Sequence, residues 1–366
     1  MILFSDPTNN AIGLDVSERV FRLVEIRKGP FYRRSLQLHR YAEERLPDGL
    51  VVAGEFKKPD EVVTHLKNLL KKAYGRRVTR GAIVSLPETR TFIKVINVKK
   101  PEKAEDIPRA ILAEAELHIP TPIADLYIDW QHLEDPATVI VGKPMSVTIG
   151  AAPKLVVDGF SAILEATGLV PVAFEIEAQA IVRSVIPKSD DGTRAIGIID
   201  FGATRSSLIV YDKGTIQFTV SIPLSGDAVT QRISEALSVD IAEAERTKRQ
   251  CGVDAHKCGT GLWKIMEPFI SEMASRISDA VEFYRDHFPN GRALDEIILC
   301  GGGANMARMD ELLTEIIKTP VRKAEPWANI DVGHSSLPPE VLLSSTTSIG
   351  LALRQALQEP ARKKKV

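Results

Sequence analysis

The spacing of apolar and polar positions lays out two hairpins of one design. Residues 11–16 read AIGLDV and residues 195–201 read AIGIIDF. Each apolar run closes on an acid, Asp15 or Asp200. Each then crosses a short stretch, Ser17-Glu18-Arg19 or Gly202-Ala203-Thr204, and returns as a second run, VFRLVEI or SSLIVYDKGTIQFTV. β-Formers broken by a tight turn predict strand, turn and strand. A recurring unit predicts a duplicated architecture. Two such turns facing each other across a cleft would hold a phosphorylated ligand from both sides.

Other elements follow from the same periodicities. After the first hairpin comes a basic, turn-rich stretch, then a helix over 60–74 with Val62, Val63, Leu66, Leu69 and Leu70 on one face. A strand over 81–86 ends at Pro87. Residues 88–150 read as an insertion: a strand in TFIKVINV, a helix over 101–118, and strands in LYIDW and PMSVTIGA, an order that predicts a small α+β module. A helix over 154–167 stops at Gly168, and another runs over 174–185. The polar loop 188–194 borders the second half. There the pattern predicts helices over 226–237, 240–250 and 261–287, a strand LDEIILC, Gly301-Gly302-Gly303, and a helix over 305–317. The Pro-rich stretch 319–340 reads as irregular, and a helix over 346–357 precedes a basic tail, Arg362 to Lys365.

Composition narrows the class. The 366 residues are 44% hydrophobic and 26% charged, enough apolar material for two or three cored domains. A net charge of −1 does not supply the basic face that a nucleic-acid backbone needs. MILFSDPTNN lacks the basic start of a signal peptide, and no apolar run approaches the ~18 residues of a membrane span. Cys251, Cys258 and Cys300 form an odd, unpatterned set that suits a reducing cytoplasm. Cys251, His256 and Cys258 lack the fourth ligand that a tetrahedral zinc site requires.

Three places carry candidate chemistry. Asp200 to Thr204 offers backbone N–H groups with little obstruction. Gly202 would supply a permissive φ, and Asp200 can hold Mg²⁺ through water or serve as a turn former. The triple glycine sits between a strand and a helix start, where it admits a phosphate or a flat ring, or makes a tight turn. Glu245 and Lys248, three apart on a helix, share a face. They can grip a ribose and base from the side, or form a solvated surface pair. At the first turn, Glu18 would repel a triphosphate unless it turns away or pairs with Arg19.

The order of these pieces resembles the actin-like ATPase superfamily, and most nearly the PilM family of type IV pilus assembly proteins, related to FtsA. The likeness is carried by Asp200–Ala203, by ALSVDIAEAERTKRQCG, by GGGANM before a short helix, by SIGLALRQAL, and by the position of the insertion with EAELHIPTPIADLYIDW. It implies an α/β actin-like fold of two duplicated halves around a nucleotide cleft. The first half is residues 1–87, 151–190 and 326–366. The small inserted domain is 88–150, and the second half is 191–325 with a helical part at 226–288. It puts Asp15 and Ser17 in a first phosphate motif and Asp200, Gly202, Ala203 and Thr204 in a second. Glu245 and Lys248 fall at the nucleoside, and Gly301, Gly302, Gly303 and Asn305 in the adenosine motif. Glu177 takes the place of the residue that positions the attacking water, and Asp15 and Asp200 those that hold Mg²⁺ through water. The first turn departs from the family pattern at Ser17 and Glu18, and Arg205 is bulky beside the second.

The resemblance further implies a scaffold that binds ATP or ADP with Mg²⁺, with at most weak ATPase activity. It would lie in the cytoplasm at the inner face of the cytoplasmic membrane. Its partners would be the N-terminal cytoplasmic peptide of a PilN-like membrane protein and other pilus assembly proteins, with self-association left open. Neither nucleic-acid binding nor direct membrane insertion is expected. An FtsA-like division protein is the alternative within the fold; the nine residues after the last helix are too few for that family's amphipathic anchor. A small-molecule kinase is the third reading, and it would need a general base beside a substrate pocket.

Overall fold

The computed structural model describes residues 11–29, 35–75, 80–288, 291–332 and 337–357, with the backbone alone for 255, 256 and 258–260. The amino-terminal decapeptide, the tail from Arg362 to Lys365 and the side chains of His256 and Cys258 lie outside this description. The chain divides into two compact units. One is Met1–Arg183 with Ile330–Gly333 and Thr347–Val366, and the other is Ser184–Asn329 with His334–Thr346.

In the first unit, β1 (Ile12–Val16) and β2 (Val20–Lys28) form the expected hairpin, and β3 (Leu36–Arg45) extends it antiparallel. The basic stretch expected to be turn-rich is therefore largely strand. Its LQLHRYAEER lacks clean alternation because β3 is an edge strand, where side chains on both faces stay partly exposed and only Ala42 and Glu44 are buried. A two-residue pair, β4 (Val51–Val52) and β5 (Glu55–Phe56), precedes α1 (Pro59–Tyr74). That helix has proline in its first turn and ends at Gly75 in the left-handed conformation. The strand β6 (Arg80–Leu86) then pairs parallel with β1.

The inserted segment holds β7 (Phe92–Lys99), α2 (Ile107–Glu116), β8 (Leu126–His132) and β9 (Pro144–Pro153). Its strands pair antiparallel in the order β7-β9-β8. Ile96, Ile107, Ile111, Met145, Val147 and Ile149 give it a core of its own. After it, α3 (Lys154–Thr167) ends on Gly168 as expected. The next segment differs from expectation, since Phe174, Glu175 and Ile176 finish the strand β10 (Leu169–Ile176) and the helix α4 (Glu177–Val185) starts only after them. A short apolar run fits helix or strand equally by periodicity; seven cross-strand partners on β6 decide for strand. The first sheet reads β10-β6-β1-β2-β3. Leu14, Leu23 and Val84 face Leu66, Leu69, Phe160 and Ile163 of α1 and α3 on one side. Ala11, Ile83 and Ala173 face Ala180 and Leu351 on the other.

The second unit repeats that order. It contains β11 (Ile196–Phe201), β12 (Ser206–Asp212), β13 (Thr215–Ile222), α5 (Gly226–Leu237), α6 (Ile241–Cys251) and the long α7 (Ala255–His287). There follow β14 (Glu296–Cys300), α8 (Met309–Ile317), β15 (Val321–Lys323) and α9 (Pro339–Leu343). Its strands lie β15-β14-β11-β12-β13, with β11 parallel to β14 and β14 to β15, and the hairpin strands antiparallel. The duplication read from two hairpins thus extends to five strands in each unit. The three-residue β15 interrupts the stretch expected to be irregular, and it is too short to show a period. The helix α10 (Thr346–Leu357) belongs from Thr347 on to the first unit, where Leu351 packs with Ala180. Among the described residues, no helix is long and apolar enough to cross a membrane.

Candidate functional site

Parallel strands gather chemistry at their carboxyl ends, where loops leave the sheet and side chains escape the packed layers. In the first unit that edge carries Asp15 near the end of β1, Ser85 near the end of β6, and Glu177 just past β10. Asp15 is buried; the Ser85 hydroxyl donates to its Oδ1 at 3.4 Å, and an Arg22 guanidinium nitrogen lies 3.7 Å from Oδ2. Arg22 faces Asp15 directly across the β1–β2 register, and its Nε is buried without a hydrogen-bond partner among the described residues. Sequence reasoning missed Arg22 and Ser85. The hairpin register was the available signal for Arg22, since pairing Val16 with Phe21 brings residue 22 opposite residue 15.

The crowding expected at the first turn is relieved. Ser17 Oγ closes the turn by donating to the Val20 carbonyl at 2.6 Å, so this hydroxyl is a turn clasp. Glu18 accepts from the Ala53 N–H at 2.9 Å, and Arg19 pairs with Asp48. Glu177 is half-buried at the first position of α4.

In the second unit three sequence-predicted pieces meet. Asp200 and Cys300 are register partners on β11 and β14, so the Asp200–Thr204 turn and the triple glycine leave the same sheet edge side by side. Gly301 sits at φ +81°, and a Cβ there would come within 2.3 Å of Asp200 Oδ1. Glycine is therefore required twice over, by its backbone and by the carboxylate against it. A Cβ on Gly302 would meet only Ser344 Oγ, at 4.0 Å, so open space lies above this turn. Gly202 departs from expectation. Its φ is not in the left-handed region; glycine is needed because a Cβ would lie 2.6 Å from the Arg205 carbonyl. Its N–H donates to that same carbonyl at 3.0 Å and is spent on the turn.

The carbonyls of this turn accept from the start of α5: Gly226 N–H bonds to Gly202 O at 3.0 Å and Asp227 N–H to Ala203 O at 2.8 Å. Beneath them lies Lys248, only 7% exposed. Its ammonium donates to Gly226 O at 2.8 Å and to Thr230 Oγ1 at 2.7 Å, and pairs with Glu245 Oε2 at 2.6 Å. Thr230 and Arg249 also reach the Glu245 carboxylate, each at 2.7 Å. Burial works against the charge on Glu245, and the donors Lys248, Thr230 and Arg249 outweigh it, holding its carboxyl below the usual range. The i,i+3 spacing placed the two residues on one face. Only packing of α6 on α5 shows that this face is an interior one, with a buried positive charge close under the turn.

Asn305 ends the short 3₁₀ turn that begins at Gly302, and its amide donates to Glu340 O and Ser344 Oγ, both at 3.0 Å. It fastens the glycine turn to α9. No cluster of three or more metal-ligating side chains occurs among the described residues, so a cation here would draw on single carboxylates and on phosphate oxygens. Each unit by itself carries groups suited to a magnesium-bound phosphate: in the first, the Asp15 carboxylate with Arg22 beside it, and in the second, the Asp200 carboxylate, open space above Gly302 and the buried Lys248 under the neighbouring turn.

The profile of the family described as "Type IV pilus assembly protein PilM" matches residues 13–356. The chain belongs to the PilM family. PilM likeness extends to solved structures. A chain of the "PilM-PilN type IV pilus biogenesis complex" is 24% identical, covers 95% of this chain and 99% of its own length, and superposes with a TM-score of 0.82. MreB5 of Spiroplasma citri bound to ADP is 12% identical, with 95% and 96% coverage and a TM-score of 0.57. These likenesses establish the actin-like ATPase fold for this PilM-family chain. Among curated proteins, the cell division protein FtsA of Bacillus subtilis (strain 168) is 21% identical over 274 residues, covering 67% of this chain and 62% of its own length. FtsA of Neisseria meningitidis serogroup B is 26% identical over 265 residues, with 63% of each covered. The chain thus spans 62–63% of the length of these two curated relatives.

Proposed function

We propose that this chain is a nucleotide-binding scaffold of type IV pilus assembly. In this reading it works at the inner face of the cytoplasmic membrane, where it docks the N-terminal cytoplasmic peptide of a PilN-like membrane protein. The observation that carries the reading is the PilM family match over residues 13–356. The solved relative named as a PilM-PilN complex supports the choice of partner, and the ADP-bound MreB5 supports the choice of ligand.

ATP or ADP with Mg²⁺ is the proposed ligand. Asp15 and Asp200 would hold the metal through water. Ser17, Gly202, Ala203 and Thr204 would border the phosphates, with Arg22 as an added cation. Gly301, Gly302, Gly303 and Asn305 would shape the adenosine side, and Glu245 with Lys248 the nucleoside side. Bound Mg²⁺ would screen the phosphate charge. Lys248 would act through the α5 start that it braces, and Glu177 would orient a water if turnover occurs. We read the protein as a scaffold because Ser17 and the Gly202 N–H are committed to closing their own turns. Well-aimed donors are what stabilise a transition state.

Residues 88–150 are the proposed docking module, since they carry their own core and add no cluster of catalytic residue types. An extended peptide there would gain backbone hydrogen bonds and side-chain pockets.

Thermal shift tests the ligand. Millimolar Mg-ATP or Mg-ADP should raise the melting temperature of the wild type, because a ligand bound only by the native state must stabilise it. Asp200→Asn should shrink that rise, measured from the variant's own ligand-free melt; no rise in the wild type would refute the ligand. Anisotropy with the labelled peptide tests the partner. Equal binding by the intact chain and by one lacking residues 88–150 would rule out that docking module.

A further inference from the structure

The amino-terminal end of β6, in the first unit, carries a cluster that the nucleotide reading does not use. Glu25 on β2 has a fully buried side chain, and three arginines from three strands converge on it. Arg27 supplies a two-pronged contact, its Nε at 2.8 Å and its Nη2 at 2.6 Å from Oε1. The Tyr74 hydroxyl donates to Oε2 at 2.9 Å. Those contacts satisfy the carboxylate, and two more guanidiniums stand close by. Arg40 Nε lies 3.4 Å and Arg80 Nη1 lies 3.6 Å from it. Arg40 Nε makes no hydrogen bond among the described residues. Both guanidiniums are held by stacking on the Tyr74 ring, 5.0 and 5.1 Å from its centre. Arg40 also donates from Nη1 to the Ala73 carbonyl.

The charge does not balance. Three arginines surround one acid, leaving two positive charges in excess, on side chains that are 27–39% exposed. Neighbouring His39 senses this although it is exposed: partial desolvation first, and then the fields of Arg27, Arg40 and Arg80, push its pKa down, against the opposing pull of Glu25. A single buried carboxylate needs one such fork, and Arg27 already provides it. Arg40 has its Nε buried against Glu25 and its Nη1 on Ala73, which leaves Nη2, and Arg80 stands 3.6 Å from Glu25 through Nη1; two planar cations pre-oriented by one aromatic ring, on partly exposed side chains, match a tetrahedral oxyanion. Arg80 and Ser85 lie five residues apart on β6, about 17 Å at strand rise, so this site is separate from the Asp15 edge.

We infer that Arg40 and Arg80, held on Tyr74 and backed by Arg27 and Glu25, form a binding site for a phosphate group. That group can come from a soluble phosphate compound or from a phospholipid headgroup, and the two sources can be told apart. Calorimetric titration of inorganic pyrophosphate should show an arginine-dependent binding component that weakens about tenfold or more in R40Q/R80Q. Co-sedimentation with phosphatidylcholine vesicles, with and without phosphatidylglycerol, reads the lipid source. Arginine-dependent pelleting with the anionic vesicles alone assigns the site to membrane; pyrophosphate binding without pelleting assigns it to a soluble ligand. R40K/R80K keeps the charge and loses the planar guanidiniums, and should weaken binding while staying folded by circular dichroism. Identical pyrophosphate isotherms and identical pelleting for wild type and R40Q/R80Q would overturn the inference.

Discussion

Removing the Lys248 ammonium should cost stability in the complete absence of nucleotide. Lys248→Ala strips three acceptors at once: Glu245 Oε2 at 2.6 Å, Thr230 Oγ1 at 2.7 Å and Gly226 O at 2.8 Å. Breaking a buried ion pair by deleting one partner costs about 3–5 kcal/mol, since the other charge is left uncompensated. Here Glu245 is 32% exposed and keeps both Thr230 and Arg249, which places the expected loss at the lower end, about 3 kcal/mol. For a unit of this size that is a fall of roughly 6–12 °C in the melting of ligand-free protein at pH 7. The effect has a pH signature. The Glu245 carboxyl is held below its ordinary value in the folded chain, so its contribution is fully present above the unfolded pKa of about 4.3. It is lost as pH falls through the lower folded value. The gap between wild type and variant should therefore close in acid. Calorimetric melts of wild type, K248A, E245A and the double variant, each without nucleotide, give the coupling energy. A K248A melt within about 1 °C of wild type, or a cycle additive to within about 0.5 kcal/mol, would refute the interior network. The same result governs how ligand binding is read, because any nucleotide-induced shift in K248A must be measured from its own lowered baseline.

Phosphate release should stay well below the ~1–1,000 per second of ordinary enzymes; turnover in that range, abolished by Glu177→Ala, would show a working ATPase. Two helix glycines should respond oppositely to alanine. At Gly350 a Cβ would lie 1.8 Å from the Ala180 carbonyl, so G350A should lose about 1–3 kcal/mol, whereas Gly159 faces open space and G159A should gain about 0.5–1 kcal/mol; denaturant titration of both variants checks the sign. Asp212 is fully buried and bonded by Arg292 at 2.8 Å and Tyr284 at 2.5 Å. Burial opposes its charge, and those two donors override burial to hold its carboxyl low. R292A should therefore be destabilised at neutral pH, with the gap to wild type fully present above the unfolded carboxyl pKa of about 3.9 and closing as pH falls through the lower folded value; a gap that does not narrow as the pH is lowered would contradict this.

Local signals determined much of this protein by themselves. Turn chemistry and apolar runs located both hairpins, and with them Asp15 and Asp200. Helical spacing with a terminal glycine bounded α3, and α10 was legible from end to end. These features rest on residues within one turn or one hairpin of each other, where backbone preference and side-chain period act directly. The tertiary structure decided what depends on partners distant in sequence. Pairing with β6 made 174–176 a strand, and edge placement let the charged β3 be one. The carbonyl of Arg205 gave Gly202 a steric reason in place of a conformational one. Packing of α6 under the start of α5 turned Glu245 and Lys248 from a surface-like pair into an interior lock, and strand register set Arg22 against Asp15. Burial and register belong to contacts that a one-dimensional pattern cannot specify, because each is fixed by what the rest of the chain packs against that position.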